Sequence, residues 1–270
     1  MNNPVMNNPV MNNVVIASNE AEAAAVAAVE QHHAELAGAL DLRVEALLGA
    51  VARGEVADRE RRALVDWCTR ELVPHAQAEE EALYPAAHGK AEARLLVEGM
   101  LDEHRVITGL VGEISAAPDP TRTAAAGHAL RVLFAGHLAK ENELVLPLLA
   151  GASDVVLADL LAGMHELLGG ASRSDQAGHP DADGHHCGCG EVDGPGHPEL
   201  DARAIPHAIR HATIFGALDS VRPGGGLVLI APHDPLPLLA QVEQRTPGLF
   251  AVDYVERGPE TWRLRFVRAA

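Results

Sequence analysis

Hydrophobic residues recur at three- and four-residue spacing through most of the first 168 residues of the chain. This is the period of an α-helix that buries one face. Short connections between such helices predict an up-down-up-down four-helix bundle with an appended fifth helix. The five predicted helices run from about Asn19 to Ala52, Asp58 to Pro85, Lys90 to Ser115, Thr121 to Leu149 and Ser153 to Leu168.

Local signals predict where the first two helices begin, bend and end. Asn19 and Glu22 have the spacing of a capping box at the start of the first helix. Pro74 has no backbone N–H, so we expect it to kink the second helix just before His75. The dipeptide at 84–85, Tyr-Pro, is expected to end that helix.

The hydrophobic pattern changes at residue 169. Residues 169–198 consist largely of Gly, Pro, Asp, Ser and His, with Val192 as the single branched aliphatic residue, which predicts a flexible linker. Residues 199–270 follow the order β-α-β-α-β-β, which predicts two helices on one face of a four-stranded sheet. The predicted fold class is therefore α followed by α+β. The predicted elements are strands at 200–203, 227–231, 250–255 and 262–267 and helices at 206–221 and 234–246.

The composition of the chain limits which classes of partner and which cellular compartment are to be expected. Hydrophobic residues make up 47% of the chain and aromatic residues only 3%, which suits packed helices. The net charge of −17, without a basic block, argues against nucleic acid and anionic membranes as partners. No apolar run reaches membrane-spanning length, no basic signal-peptide region is present and there are only three cysteines, so we expect a cytoplasmic protein. Residues 1–18, with their MNNPV repeats, are predicted to be a disordered leader.

Two stretches of the chain carry the same arrangement of polar residues. In His75-x3-Glu79 and again in His137-x3-Glu141 a carboxylate follows an imidazole by four residues, and in both a proline follows the histidine by ten. Four residues make about one helical turn, so each pair projects from one helix face. Imidazole and carboxylate groups that converge twice are the mixed nitrogen and oxygen ligands of a transition metal.

Helix phase extends this set of candidate ligands. His33 and His104 lie on the apolar stripes of the first and third helices, whereas His32 and Glu103 lie off those stripes. Each of the four helices therefore directs one imidazole to the interior, and two of them add a carboxylate. Buried groups of this kind are costly unless they are coordinated or fully hydrogen-bonded, so a common metal site is predicted. The predicted ligands are His33, His75, Glu79, His104, His137 and Glu141.

Other polar residues are predicted to have no ligand role. Glu80, Glu81, His128 and His165 are predicted to lie on the surface, and Cys68 to be buried for packing. The linker sequence at 185–189, His-His-Cys-Gly-Cys, is either a metal or redox site or a plain tether, because it lacks the usual C-x2-C spacing.

The six predicted ligands, spread over four helices, resemble those of a hemerythrin-type HHE cation-binding domain over about residues 19–168. The resemblance implies two iron ions, with oxo and carboxylate bridges, that react with dioxygen, nitric oxide or peroxide. Thr108 and Asn142 stand where the oxygen-carrying hemerythrins have a histidine and an aspartate. These departures argue against reversible oxygen carriage and predict an open coordination position for a small ligand.

The C-terminal stretch, 199–270, resembles a family of unknown function with the fold of the TusA-like sulfur carriers. The resemblance rests on residues 200–201, the Pro-Gly turn at 223–224 and the His-Asp-Pro sequence at 233–235. Ile-Pro-His at 205–207 stands where the sulfur carriers have Cys-Pro, so sulfur transfer is not expected. The polar residues near this helix start form either an anion or metal pocket or an ordinary solvated helix end. They are Asp201, Arg203, His207, Arg210, His211 and His233.

Three functions remain as hypotheses. The first is a cytoplasmic di-iron protein that binds or senses O2, NO or peroxide, with a C-terminal domain that passes the state on or docks a protein partner. The second is a di-iron oxidoreductase that consumes hydrogen peroxide or NO. For it Tyr84, the only tyrosine of the bundle, is either a redox or hydrogen-bonding neighbour of the metal or a packing residue at a helix end. The third is iron storage or delivery, for which the His/Cys sequence of the linker at 185–189, with Cys187 and Cys189, is the only supporting feature. We also expect the two domains to be structurally independent, with the linker as the first site of proteolysis.

Overall fold

A computed structural model of the protein describes residues 17, 19–164, 197–205 and 209–270. Its N-terminal part is helical and its C-terminal part is a sheet with two helices, so the predicted class, α followed by α+β, is confirmed. The predicted leader and most of the predicted linker lie outside the described residues. The helical segments of the bundle are α1 (Glu20–Ala52), α2 (Asp58–Trp67), π1 (Cys68–Leu72), α3 (Val73–Ala78), π2 (Glu79–Leu83), α4 (Tyr84–His88), α5 (Arg94–Ala116), α6 (Pro120–Lys140), π3 (Glu141–Val145), α7 (Leu146–Ala150) and α8 (157–164).

Asn19 caps the first helix as its position predicts. The Asn19 side-chain oxygen accepts a hydrogen bond from the Glu22 backbone N–H at 3.0 Å, which satisfies one of the free donors of the first turn. The Glu22 carboxylate is buried and accepts a hydrogen bond from the Leu157 N–H at 2.9 Å. This bond ties the start of α8 to the start of α1.

One residue separates the end of each of the three π-helical segments from a proline. In π2 the Tyr84 N–H bonds back five residues to the carbonyl of Glu79, and Pro85 follows. A proline cannot make the usual bond to the carbonyl four residues back, and the wider π turn accommodates this loss. The second helix therefore continues to His88, and the prediction that it ends at 84–85 is wrong.

The same geometry explains the matched prolines of the two His-x3-Glu stretches. π2 begins at Glu79 and π3 begins at Glu141, and their prolines are Pro85 and Pro147. The ten-residue spacing from histidine to proline thus sets a π turn at each candidate carboxylate ligand. π1 stands in the same relation to Pro74, where the sequence predicts a kink.

The interior of the bundle is divided into two apolar clusters. One cluster contains the buried apolar residues of α1 between Leu36 and Ala50, and the other contains those between Ala25 and Val29. The other three helices divide in the same way, for example at Ile107 and Met100 in α5. The six candidate ligands lie between the two clusters along every helix, so they form a polar layer inside an apolar core.

The C-terminal part of the chain consists of four strands and two helices. They are β1 (Glu199–Asp201), α9 (Arg210–Asp219), β2 (Gly226–Ala231), α10 (Leu236–Arg245), β3 (Phe250–Glu256) and β4 (Trp262–Arg268). The strands form one mixed sheet in the order β1-β2-β4-β3, with β1 parallel to β2 and the other neighbours antiparallel. The fully buried Leu227, Leu229, Leu264 and Phe266 share one core with the helices of this part.

Two local predictions for this part are wrong. The second helix of this part is predicted to begin at residue 234, but α10 begins at Leu236; the Asp234 carboxylate accepts a hydrogen bond from the Tyr254 hydroxyl at 2.8 Å. The first strand ends at Asp201, two residues earlier than predicted, and the backbone turns there.

The two parts of the chain contact each other directly, because α9 packs on α1, whereas the sequence predicts structurally independent domains. A Cβ atom added to Gly38 would lie 2.0 Å from the Thr213 carbonyl oxygen. One added to Gly216 would lie 2.2 Å from the Glu35 carbonyl oxygen. The two helix backbones therefore touch where both helices carry glycine. None of the described helices is long and apolar enough to cross a membrane.

Candidate metal centre

The structure brings all six predicted ligands together in the polar layer of the bundle. Their exposed fractions are between 0% and 4%, so the whole group is removed from water. Four imidazoles and two carboxylates at this depth need partners that offset their lost hydration.

Glu79 joins two histidine pairs. Its Oε1 atom lies 2.9 Å from His75 Nε2 and 3.3 Å from His33 Nε2. Its Oε2 atom lies 3.5 Å from His104 Nε2, which in turn lies 3.0 Å from His137 Nε2. Each group, His33-His75-Glu79 and Glu79-His104-His137, has its donor atoms within 4.8 Å of one another, as a metal position requires.

Glu141 spans the same two groups from the opposite helix. Its Oε2 atom lies 3.7 Å from His33 Nε2, and its Oε1 atom lies 3.6 Å from His137 Nε2. Both carboxylates thus offer one oxygen to each group. This is the arrangement in which two carboxylates can bridge two cations.

Several nitrogen and oxygen atoms of the polar layer that could bind a metal make no well-aligned hydrogen bond in the described part of the chain. Both ring nitrogens of His75 and the Oε2 atom of Glu141 are buried without a well-aligned hydrogen bond among the described residues, although His75 Nε2 lies only 2.9 Å from Glu79 Oε1. The Nε2 atoms of His104 and His137 face each other at 3.0 Å. Buried polar atoms are nearly always satisfied, so these contacts fit a bound cation with mixed nitrogen and oxygen ligands.

The charges of the layer support the same conclusion. Burial lowers the pKa of His33, but hydrogen bonding with Glu79 and the charge of Glu141 raise it more, to about 9. Burial raises the pKa of Glu79, yet the facing His75 and the other histidines hold it well below its ordinary value. The carboxylates thus attract positive charge, which protons or a cation can supply.

Three of the four histidines are oriented by an acceptor outside the layer. The Nδ1–H of His33 donates to Asn142 Oδ1 at 2.7 Å. The Nδ1–H of His104 donates to Glu80 Oε1 at 2.8 Å. Such bonds fix the ring and leave Nε2 free to face a metal.

The third acceptor is Glu103, whose Oε2 atom receives the Nδ1–H of His137 at 3.0 Å. Lys140 pairs with the same carboxylate. Sequence reasoning missed both acidic acceptors, because it assigned Glu80 to the surface and Glu103 to the outer face of its helix. Each accepts from a histidine of a different helix, and no spacing within one helix reports such a contact.

The Tyr84 hydroxyl lies beside the Glu79-His104-His137 group. It donates to Glu141 Oε1 at 2.6 Å and lies 3.1 Å from His137 Nε2 and 3.4 Å from His104 Nε2. Burial and the charges of Glu141 and Glu79 raise the pKa of Tyr84, so the side chain is a neutral phenol there. The bundle's only tyrosine is therefore a direct neighbour of three candidate ligands.

Residues predicted to lie outside the centre do so. His32 is exposed, and its ring meets the His75 ring edge-on with the centroids 5.0 Å apart. Thr108 and His128 are exposed. Cys68 is fully buried, and burial raises the pKa of its thiol to about 12, which suits packing rather than chemistry.

The candidate pocket in the C-terminal part gains no support from the structure, and the candidate site in the linker lies outside the described residues. Arg203 pairs with Asp201, Arg210 donates to the Ile205 carbonyl, and His211 meets Gln241 at 3.2 Å, so these groups are engaged locally. Within the described residues the two metal-competent groups are both in the bundle. The remaining candidates lie outside the described residues, as does His165, which is predicted to lie on the surface; these candidates are His185, His186, Cys187, Cys189 and His207.

The fold and the site define a helical bundle that can hold metal in a buried histidine–carboxylate layer. The model of the Hemerythrin HHE cation binding domain matches residues 24–172, more than half of the chain, so the chain belongs to that family. Residues 199–268 match the family described as Uncharacterized conserved protein (DUF2249). No curated protein and no solved structure matches the chain.

Proposed function

We propose that this protein is a cytoplasmic di-iron protein that binds or senses O2, NO or peroxide. The observation that carries the proposal is the pair of histidine groups that share Glu79 and Glu141, one carboxylate oxygen for each group. Imidazole and carboxylate ligands with few further donors suit non-heme iron. All six predicted ligands would serve: His33, His75, Glu79, His104, His137 and Glu141.

Bound iron would supply reversible electron transfer and binding of a diatomic ligand, and the chain would supply orientation and a dry site. The Nδ1 bonds to Asn142, Glu80 and Glu103 hold three rings in place. The apolar clusters above and below exclude water. Because metal ions replace protons among the ligands, iron loading should release protons.

The ligand set leaves room for a small molecule. Thr108 is exposed, and the Asn142 side chain accepts a hydrogen bond from His33, so neither position supplies a further donor. We therefore expect the reduced, iron-loaded protein to bind NO with a new visible absorption band, and to be oxidised by air within minutes. Stopped-flow and anaerobic optical titration would measure both.

A stable oxygen adduct that lasts hours would contradict this expectation and restore the oxygen-carrier hypothesis. His32→Ala is the matched control, because His32 is exposed beside His75. Its iron content and NO response should equal those of the unaltered protein.

An oxidoreductase that consumes peroxide is the second candidate, and the position of Tyr84 favours it. The phenol holds a proton within 2.6 Å of Glu141 Oε1, beside the Nε2 atoms of two ligand histidines. With iron bound, this hydroxyl would be positioned to donate a hydrogen bond at the metal site, and positioned proton donors contribute about a hundredfold or more in rate.

For this candidate we expect Tyr84→Phe to retain its iron while peroxide consumption falls about a hundredfold. Tyr254→Phe, which removes a phenol of the C-terminal part, should leave the rate unchanged. Peroxide decay followed with the iron-loaded protein would measure the effect. Absence of turnover in the unaltered protein would rule out the enzyme and leave the sensor, whereas equal rates in both proteins would exclude the role of Tyr84.

A further inference from the structure

A cavity lies away from the candidate metal ligands, between the bundle and the C-terminal part. It has a volume of about 690 Å³, which falls within the size range of small-molecule sites. Its walls come from α1, from α2 and π1, and from the loop that precedes β2. Leu42 and Val221 contribute apolar surface, and His197 packs beside Gly226.

The cavity gathers positive charge in a chain whose net charge is −17. Arg43, Arg70 and Arg222 reach it from three separate parts of the chain. Burial is the main cause that lowers the pKa of Arg43; Glu71 opposes it, and the nearby Arg70 and Arg222 lower it further, so both act on Arg43 as like charges. Arg70 and Arg222 are exposed, so water screens part of this repulsion, and an anion bound between the three cations would remove more of it.

No carboxylate among the described residues forms an ion pair with any of the three guanidinium groups. Arg43 donates to the Ala39 carbonyl and stacks over the Trp67 ring at 4.8 Å, and Arg70 donates to the Asp66 carbonyl. These contacts hold the two side chains in place without neutralising them. By contrast, Arg53 at the rim of the cavity is neutralised by two hydrogen bonds to its neighbour, Glu55.

We propose that this cleft binds a small organic phosphate of the size of a nucleoside diphosphate. Planar guanidinium groups bind phosphate oxygens through two parallel N–H bonds, and three of them match a multiply charged phosphate better than a single carboxylate. The apolar walls would cover the organic part, and Glu60 and Asp66, which also line the cleft, would accept hydrogen bonds from its hydroxyl or amino groups. The ligand would contact both parts of the chain and stabilise their packing.

Calorimetric titration of the full-length, iron-loaded protein with ADP tests the proposal. We expect about one ADP per chain, binding that weakens as salt is added, and a higher melting temperature with ADP. Arg222→Gln should weaken binding about tenfold or more, and Arg222→Lys should weaken it less because the charge remains. Arg62→Gln is the control, since Arg62 is exposed on α2 and does not line the cleft.

Two further measurements distinguish ADP binding at this cleft from binding at the metal centre and from unspecific binding of anions. The iron spectrum should stay unchanged during the ADP titration, and inorganic phosphate should bind more weakly than ADP. A spectrum that shifts with ADP would locate the phosphate at iron and overturn the proposal. Equal binding to the unaltered protein and Arg222→Gln, equal binding of inorganic phosphate, or no binding of ADP would also overturn it.

Discussion

Replacing His137 by Ala is expected to lower the iron content from about two ions per chain to one or fewer and to abolish the near-ultraviolet absorption of the iron centre. His137 lies in the group with Glu79 and His104, and it also faces Glu141, so its loss opens one metal position and weakens the other. His75→Ala should act in the same way through the other group. Metal analysis and an optical spectrum in air would measure both variants.

The same variants should lose stability, because metal that binds only the folded chain adds its binding free energy to folding. A ligand at a hundred times its dissociation constant contributes about 2.7 kcal/mol by mass action. His128→Ala, at an exposed position of α6, should keep both iron and melting temperature. If the His75 and His137 variants are folded by circular dichroism and hold full iron, the ligand assignment is wrong.

Gly216→Ala is expected to destabilise the protein, although alanine normally favours a helix. The added methyl group would meet the Glu35 carbonyl oxygen at 2.2 Å, and a backbone atom cannot move aside as a flexible side chain can. Overpacking of this kind costs about 1–3 kcal/mol, so α9 should separate from α1 or the whole chain should become less stable. Urea unfolding and limited proteolysis would measure the effect.

Gly112→Ala is the matched control for this contact. Gly112 is an exposed helical residue of α5 with open space around it, so alanine there should stabilise by about 0.5–1 kcal/mol. Opposite signs for the two substitutions are the expected result. If Gly216→Ala stabilises the protein as Gly112→Ala does, the backbone contact between α1 and α9 does not exist in solution.

The helices and the six candidate ligands could be predicted from sequence because both depend on periodicity within one element. His33 shares a stripe with Val26, Val29 and Leu36, and all four are buried. A residue three or four positions from a core residue faces the same way, so helix phase alone assigns these histidines to the interior.

The ends of the helices were less predictable, because a proline can be accommodated in more than one way. The Tyr-Pro pair at 84–85 predicts a helix end, yet a π turn lets the helix continue to His88. The choice depends on Leu83, Tyr84 and Ala87, which are buried against the rest of the bundle and hold this segment in the core. Local helix propensity does not include the free energy of burying these three side chains.

The sequence by itself determined which side chains point inward, since this follows from the 3.6-residue period of each helix. Only the tertiary structure decided which groups meet across helices, such as Glu103 with His137 and Tyr84 with Glu141, and that Arg43, Arg70 and Arg222 line one cleft. It also gave Gly38 and Gly216 their role, since in sequence they resemble any other helical glycine. The physical reason is that contacts between elements depend on the distance and rotation at which helices pack, and no spacing along one chain segment carries that information.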